Sequence, residues 1–451
     1  MASAAAPGYT FENPYWFLLI ALGLSLPLIL NPGYFSHDEL QWLAFADQPR
    51  LAQLPWNAWF DFSPFQYRPL TFNLWLLLSH WFGYQPMLMH LLRVLFGVAA
   101  AALLRDVLTS FEVTPRRAAL ACWIFLLTPY AIYTDAWIAS FGDSLCLIFL
   151  LLALRYVLVQ PGQAITFAQA AVRALPVAAL AALALMSKES AIIFPAVLLI
   201  AAVRRCDRTV AASIVAAACI VAIYLCLRMQ TILYPAHAAA GYAWSLANIP
   251  QRLAEYAVFP FLVGHFEVIA ARTHLTNTGA LICLALLLAA MADAGWRRFC
   301  VWVLGFAAAL GPVLILDLSA NQYAYLASAW LCAFVAWTWP RLTRPARILL
   351  VVPVLVVLVH GYQQTREIRH IGRIQQHLYQ DLPRVLAHAD SPIRIKTQRR
   401  RDDFILHRLL HDIPSYRHMP IGNRVIVIAF AQDLPKPDFV MAGDGHLHAS
   451  R

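Results

Sequence analysis

Apolar runs alternate with short polar connectors along most of this chain. Runs stand at about 15–31, 69–82, 86–110, 118–134, 141–159, 172–187, 190–204, 209–228, 276–292, 298–316, 322–340 and 346–360. Most are roughly 15 to 22 residues long, the length a helix needs to cross a hydrocarbon core. So many in succession cannot all form the core of one soluble domain. The pattern predicts an all-α polytopic membrane protein with a transmembrane domain over 1–360. The longer polar stretches, 32–68 and 229–275, read as loops on one face.

The basic residues give this pattern a direction. Arg204-Arg205-Cys206-Asp207-Arg208, Arg297-Arg298 and the cluster from Arg341 to Arg347 sit in connectors, and the positive-inside rule places such clusters in the cytoplasm. Counting from them puts the turn at Lys188, loops 32–68 and 229–275, residues 317–321 and everything after 360 outside. Twelve full crossings would contradict that, so an odd number is expected, 11 or 13. Segment 69–82 is the candidate partial crossing: as a helix it rises only about 21 Å, against a core of about 30 Å.

Residues 361–451 are different material, rich in Arg, His and Asp, with one short apolar run, Val425 to Phe430, that reads as a strand. A small extramembrane α+β appendage is expected there. Its ending, Gly443-Asp444-Gly445-His446-Leu447-His448, reads as a frayed terminus rather than a metal site.

Composition agrees. Hydrophobic residues make up 61% and charged residues 13%, against roughly a quarter charged in soluble proteins; the mean hydropathy is +0.61. The net charge of +10 lies in connectors and tail and so reads as topology, not as a nucleic-acid surface. The eight cysteines show no CxxC or metal-like spacing. Residues 1–14 lack a basic n-region, so segment 15–31 is expected to stay as an anchor.

Against this background a few ionisable residues stand out. Asp38-Glu39 opens the first outer loop, where a carboxylate beside an apolar boundary can act as a general base, or simply solvate the loop. His37 reads as a surface imidazole. Lys188-Glu189 interrupts an apolar stretch, suited to holding a phosphate or to capping a turn by a salt bridge. Arg68 closes the outer loop in Tyr67-Arg68-Pro69-Leu70, as a phosphate partner or a snorkelling side chain. His90 and Arg93 share a helical face and are weaker candidates, with a structural polar contact as the alternative. Asp143 follows Asp135, as a ligand or in a helix N-cap region. Tyr323 and Tyr325 lie two apart at the outer face, as substrate contacts or an aromatic belt. No Gly-rich phosphate loop, GxSxG, HExxH or DxD motif is present.

The order of these features resembles the polytopic GT-C glycosyltransferases. The acid pair at 38–39 is followed by "RPL", "FGYQPMLMHLLR", "FGDSL", "LMSKESAIIFP" and "NQYAYLASA". The likeness runs over roughly residues 15 to 330 and is greatest to the tetratricopeptide-linked and protein O-mannosyltransferase-like branch. It departs from that branch in two ways: Gln322 stands where an Arg is usual before the first Tyr, and the tail has no 34-residue period.

The resemblance implies a polyprenyl-phosphate sugar donor, an outward-facing site in a bacterial inner membrane or ER membrane, and inversion at the anomeric carbon. It implies a lipid, glycan or protein acceptor activated by Asp38, with Glu39 sharing that role. Lys188 and Arg68, and more weakly Arg93 and His90, would hold the donor phosphate, and Asp143, Tyr323 and Tyr325 would contact substrate. No cofactor is required; Mg²⁺ or Mn²⁺ near Asp38 is compatible. The competing expectations are a transporter or flippase of a lipid-linked or small substrate, and a non-catalytic scaffold.

Overall fold

The computed structural model describes residues 13–160, 166–233, 243–271, 275–389, 391–431 and 436–450; parts of the expected loop 229–275 therefore lie outside the described residues. The membrane part comprises α1 (Pro14–Ile29), α2 (His37–Gln41), α3 (Pro69–Phe82), α4 (Pro86–Ser110), α5 (Pro115–Leu126), α6 (Pro129–Ala136), α7 (Phe141–Val159), α8 (Phe167–Ser187), α9 (Phe194–Arg204) and α10 (Arg208–Leu233). It continues through α11 (Ile249–Val258), α12 (Val268–Ala271), α13 (Thr278–Asp293), α14 (Trp296–Leu310), α15 (Tyr325–Thr338) and α16 (Arg344–Ala387).

Proline writes many of the starts. Pro14, Pro69, Pro86, Pro115 and Pro129 each occupy the first helical position, where a missing N–H costs nothing and the fixed φ suits the helix. Pro129 also ends what precedes it. The expected single crossing 118–134 is broken at Leu127–Thr128, and α5 and α6 meet at 63°, because a residue before proline is driven out of the helical region.

Among the described residues six helices are long and apolar enough to span a bilayer, or seven if the bent pair counts as one span; α1 and α13 are shorter and apolar. The expected 11 to 13 crossings are thus not all full-length helices. Segment 69–82 is a helix of 14 residues, short as expected.

Helices pack through small side chains. Ala170, Ala174, Val177, Ala181 and Ala184 form one buried stripe on α8 against α10, whose buried face carries Val210, Ser213, Ala217 and Val221. In a bilayer, where apolar burial gives helices no mutual attraction, close approach by small residues supplies the packing.

The 44-residue α16 spans about 66 Å. It runs unbroken through the expected domain boundary at 360/361, so that boundary falls inside a helix, not in a linker. Its C-terminal half buries Ile368, Ile371, Ile374, Leu378 and Leu382 under the C-terminal unit. That unit is α+β: β1 (Ile393–Thr397), α17 (Asp403–Leu410), a hairpin of β2 (Ser415–Tyr416) and β3 (Met419–Pro420), then β4 (Val425–Ile428), β5 (Phe439–Met441) and β6 (Leu447–Ala449). The sheet order is β4-β1-β5-β6, with β1 parallel to both neighbours and β6 antiparallel to β5.

The terminus is not frayed. His446 Nδ1 lies 2.8 Å from Asp381 on α16, the His377 and His446 rings stack at 4.4 Å, and β6 completes the sheet. These anchors lie more than sixty residues apart in sequence, beyond the reach of any local pattern.

Candidate active site

Two groups of ionisable side chains lie along one stretch of chain, residues 134–143. The first is a cradle of two cations and two carboxylates. Lys188 follows α8 in an extended conformation (φ −158°, ψ 138°), which turns its side chain away from the helix line. Its Nζ is 2.9 Å from Asp143 Oδ2 and 5.3 Å from the centre of the Tyr323 ring. Arg68, the residue before α3, gives its Nε to Glu189 Oε2 at 2.8 Å. The Lys188–Asp143 pair is sealed, at 6% and 2% side-chain exposure, while the Arg68–Glu189 pair is more open.

Gly142 allows the close approach. A Cβ there would meet the Ser187 carbonyl oxygen at 2.5 Å and Thr71 Oγ1 at 2.9 Å, so the start of α7 can lie against the end of α8 only without a side chain. Thr71 Oγ1 donates to the same Ser187 carbonyl at 2.9 Å, tying α3 into the junction. Asp143 is in the first turn of α7, after Ser140 at the N-cap; there its charge also suits the helix dipole.

The second group surrounds Asp38 on α2. The Asp38 side chain is 32% exposed and its Oδ1 lies 3.2 Å from His37 Nε2. Burial holds His37 below its usual value, with Asp38 pulling the other way. The His37 ring meets His411 edge-on at 5.4 Å. Beside them Arg408, from α17, binds Glu267, donates to Tyr133 Oη at 3.0 Å and lies over the Phe35 ring.

Glu39 departs from the expectation of a shared base. It is buried, and its carboxylate accepts three backbone N–H groups: Phe35 at 3.1 Å, Ser36 at 3.2 Å and Ile138 at 2.7 Å. Burial pushes it up to about 8, with the Ile138, Phe35 and Ser36 bonds working against that rise. Both oxygens are engaged with the backbone, so Glu39 pins α2 to residue 138 and leaves Asp38 as the accessible acid.

Arg93 and His90 also depart from expectation. Both are fully buried, where a donor phosphate has no access. Arg93 faces Asp135 at 3.3 Å and donates to the carbonyls of Thr134, Trp137 and Ser140. His90 Nε2 lies 3.0 Å from the Gly33 carbonyl oxygen. Tyr325 is likewise enclosed, its hydroxyl 3.3 Å from Asp135, so of the two tyrosines only Tyr323 reaches the cradle.

These buried groups build the link between the two clusters. Glu39 holds Ile138 and Arg93 clamps 134–140, while Asp143 begins five residues after Ile138, about 8–10 Å of helical rise. Arg408, His411, Tyr133 and Glu267 were not anticipated from sequence. Arg408 lies 372 residues from its neighbour Ser36, and nothing periodic marks such a pairing. Among the described residues no group of three or more His, Cys, Asp or Glu side chains is placed to hold a metal ion.

The fold, a polytopic helical membrane bundle with a small α+β unit at its C-terminal end, is shared with a solved structure. The crystal structure of ArnT from Cupriavidus metallidurans bound to undecaprenyl phosphate matches 95% of this chain and 87% of that one, with a TM-score of 0.51 at 14% identity. An Archaeoglobus fulgidus oligosaccharyltransferase tethered to an acceptor peptide matches 91% of this chain at a TM-score of 0.41 and 11% identity. This chain spans 64% of that protein. Neither match bears on the O-mannosyltransferase-like branch. No protein-family profile matches the chain, and no curated protein does.

Proposed function

We propose that the protein is a membrane glycosyltransferase that moves a sugar from a polyprenyl-phosphate donor to an acceptor hydroxyl or amine at the extracytoplasmic face. The observation that carries this reading is the cradle itself: Lys188, at the end of α8, is held by Asp143, and Arg68, at the start of α3, is held by the neighbouring Glu189. The architecture shared with ArnT supports it. So does the placement of the Lys188 turn at the opposite end of α9 from Arg204 and Arg205.

In this scheme the polyprenyl tail stays in the bilayer and its sugar phosphate enters the cradle. The acceptor oxygen or nitrogen attacks the anomeric carbon from the face opposite the phosphate, which inverts that centre. The bond to the acceptor forms as the bond to the phosphate oxygen breaks. Asp38 takes the acceptor's proton, and the charge that develops on the departing polyprenyl phosphate is met by Lys188 and Arg68. His37 is positioned to relay the proton from Asp38. Side-chain cations supply the leaving-group stabilisation, so no step calls on a metal.

Incubating proteoliposomes of the full chain with radiolabelled polyprenyl-phosphate sugars tests the reading. Label should pass from lipid to an acceptor with one of them. If no donor binds or turns over, the reading fails in favour of a transporter or flippase.

A further inference from the structure

Asn321 lies in the connection between α14 and α15, yet its relative exposure is only 1%. A buried carboxamide is costly unless its acceptor and its donor are both matched. Here they are: Oδ1 accepts from the Val268 N–H at 2.9 Å, and Nδ2 donates to the Phe266 carbonyl at 2.9 Å. A backbone N–H can only donate and a carbonyl only accept, so these partners also fix which way round the carboxamide lies.

Phe266 and Val268 flank Glu267. The Glu267 carboxylate accepts from Tyr133 Oη at 2.9 Å and binds Arg408, whose guanidinium lies over the Phe35 ring. The Phe266 ring meets Phe35 edge-on at 6.0 Å and Tyr133 at 5.5 Å. Asn321 therefore grips the chain on both sides of the residue that anchors Arg408 at the loop of Asp38. Gln364 of α16 donates to the same Phe266 carbonyl at 3.0 Å, so this stretch of backbone is held from two elements.

The same short turn also reaches the cradle. Asn321–Ala324 form one 3-10 turn, in which the Tyr323 N–H donates to the Ala320 carbonyl at 3.1 Å. Tyr256 of α11 steadies its start, its hydroxyl accepting from the Ala320 N–H at 3.1 Å. Tyr323, two residues on from Asn321, lies against Lys188. One turn thus carries a side chain to each of the two groups.

We propose that Asn321 is a positioning residue for the transfer reaction: it fixes Glu267, and through it Arg408, so that the group around Asp38 stays in register with the Lys188 cradle. The proposal rests on the glycosyltransferase reading above. Both polar atoms of the Asn321 side chain are engaged with backbone, so it takes no part in the bond-making step.

The near-isosteric N321L variant removes both bonds and keeps the volume. It should lower kcat about a hundredfold, roughly tenfold for each bond, with donor KM and donor-lipid retention unchanged. N321D, which still accepts from Val268, should recover about tenfold of that loss. E267Q should lower kcat as well, and N321L/E267Q should be no worse than the poorer single variant, because both act on one path. If N321L does not fold, N321D with E267Q supplies the same cycle. Unchanged kcat, donor retention that falls in step with kcat, or losses that multiply in the double variant would each overturn the proposal. Hydrogen–deuterium exchange of the full chain in detergent gives a readout free of the transfer assay. N321L should exchange faster over residues 265–268 and 403–411 and at the wild-type rate over 186–191. Faster exchange in a protein whose wild type transfers no sugar would sink the glycosyltransferase reading, whereas wild-type exchange over 403–411 would sink the role of Asn321.

Discussion

Lys188 Nζ and Asp143 Oδ2 are 2.9 Å apart in a nearly sealed contact that joins the end of α8 to the first turn of α7. A buried pair of this kind is costly to break from one side, because the remaining charge has neither water nor partner. The pair therefore holds the Lys188 ammonium in place against the start of α7.

Asp143→Asn should for that reason destabilise the protein by about 3–5 kcal/mol. The double change Lys188→Met with Asp143→Leu should recover much of that loss while sugar transfer stays absent. Thermal unfolding in detergent, run beside the transfer assay, separates the two effects.

Gly142→Ala should force the start of α7 away from the Ser187 carbonyl. A cost of about 1–3 kcal/mol is expected for overpacking of this kind, together with weaker retention of donor lipid as Asp143 and Lys188 separate. Donor retention equal to wild type would show that the cradle tolerates the shift.

Asp38→Asn should lower transfer by about 10²–10⁴-fold, the usual contribution of a general base. Insertion and melting temperature should be unchanged, because Asp38 bears no core contact. Survival of full activity would remove Asp38 from the chemistry.

The Glu39 carboxyl rises from 4.5 to about 8 in the folded protein, so the folded state holds a proton that the unfolded chain releases. That contribution to stability is complete below 4.5 and is lost as pH rises through about 8. Melting temperature should fall across this window in the wild type, and the slope should flatten in Glu39→Gln. Parallel slopes would place the titration elsewhere.

Arg408→Ala should loosen α2 from α17, since it removes contacts to Glu267, Tyr133 and Ser36. We expect a loss of transfer of about tenfold, on the order of one charge-assisted bond, with Arg408→Lys restoring part of it. If Arg408→Ala transfers at the wild-type rate, the C-terminal unit only covers the site.

Hydropathy and proline positions made much of the membrane part legible. The lengths of the apolar runs located α4, α7, α8 and α10, and the same lengths marked 69–82 as short. The candidate site residues were visible too, because Asp38, Glu39, Arg68, Asp143 and Lys188 are rare charges in an apolar chain. Their separate roles were not. Glu39 and Asp38 are neighbours of the same type, and only the N–H groups of Phe35, Ser36 and Ile138 distinguish them. The break between α5 and α6 was missed because hydropathy averages over Pro129, and the ordered terminus because Asp381 anchors it from a distant helix.

The sequence by itself determined that the chain spans a bilayer many times, which end of α9 carries Arg204 and Arg205, and which few charges are available for chemistry. These follow from transfer free energies that each residue carries wherever it sits. The tertiary structure alone decided that Lys188 meets Asp143, that Arg93 is a buried clamp, and that Arg408 reaches across from the C-terminal unit to the loop of Asp38. Those outcomes depend on which helices touch, and a partner hundreds of residues away leaves no local periodic trace.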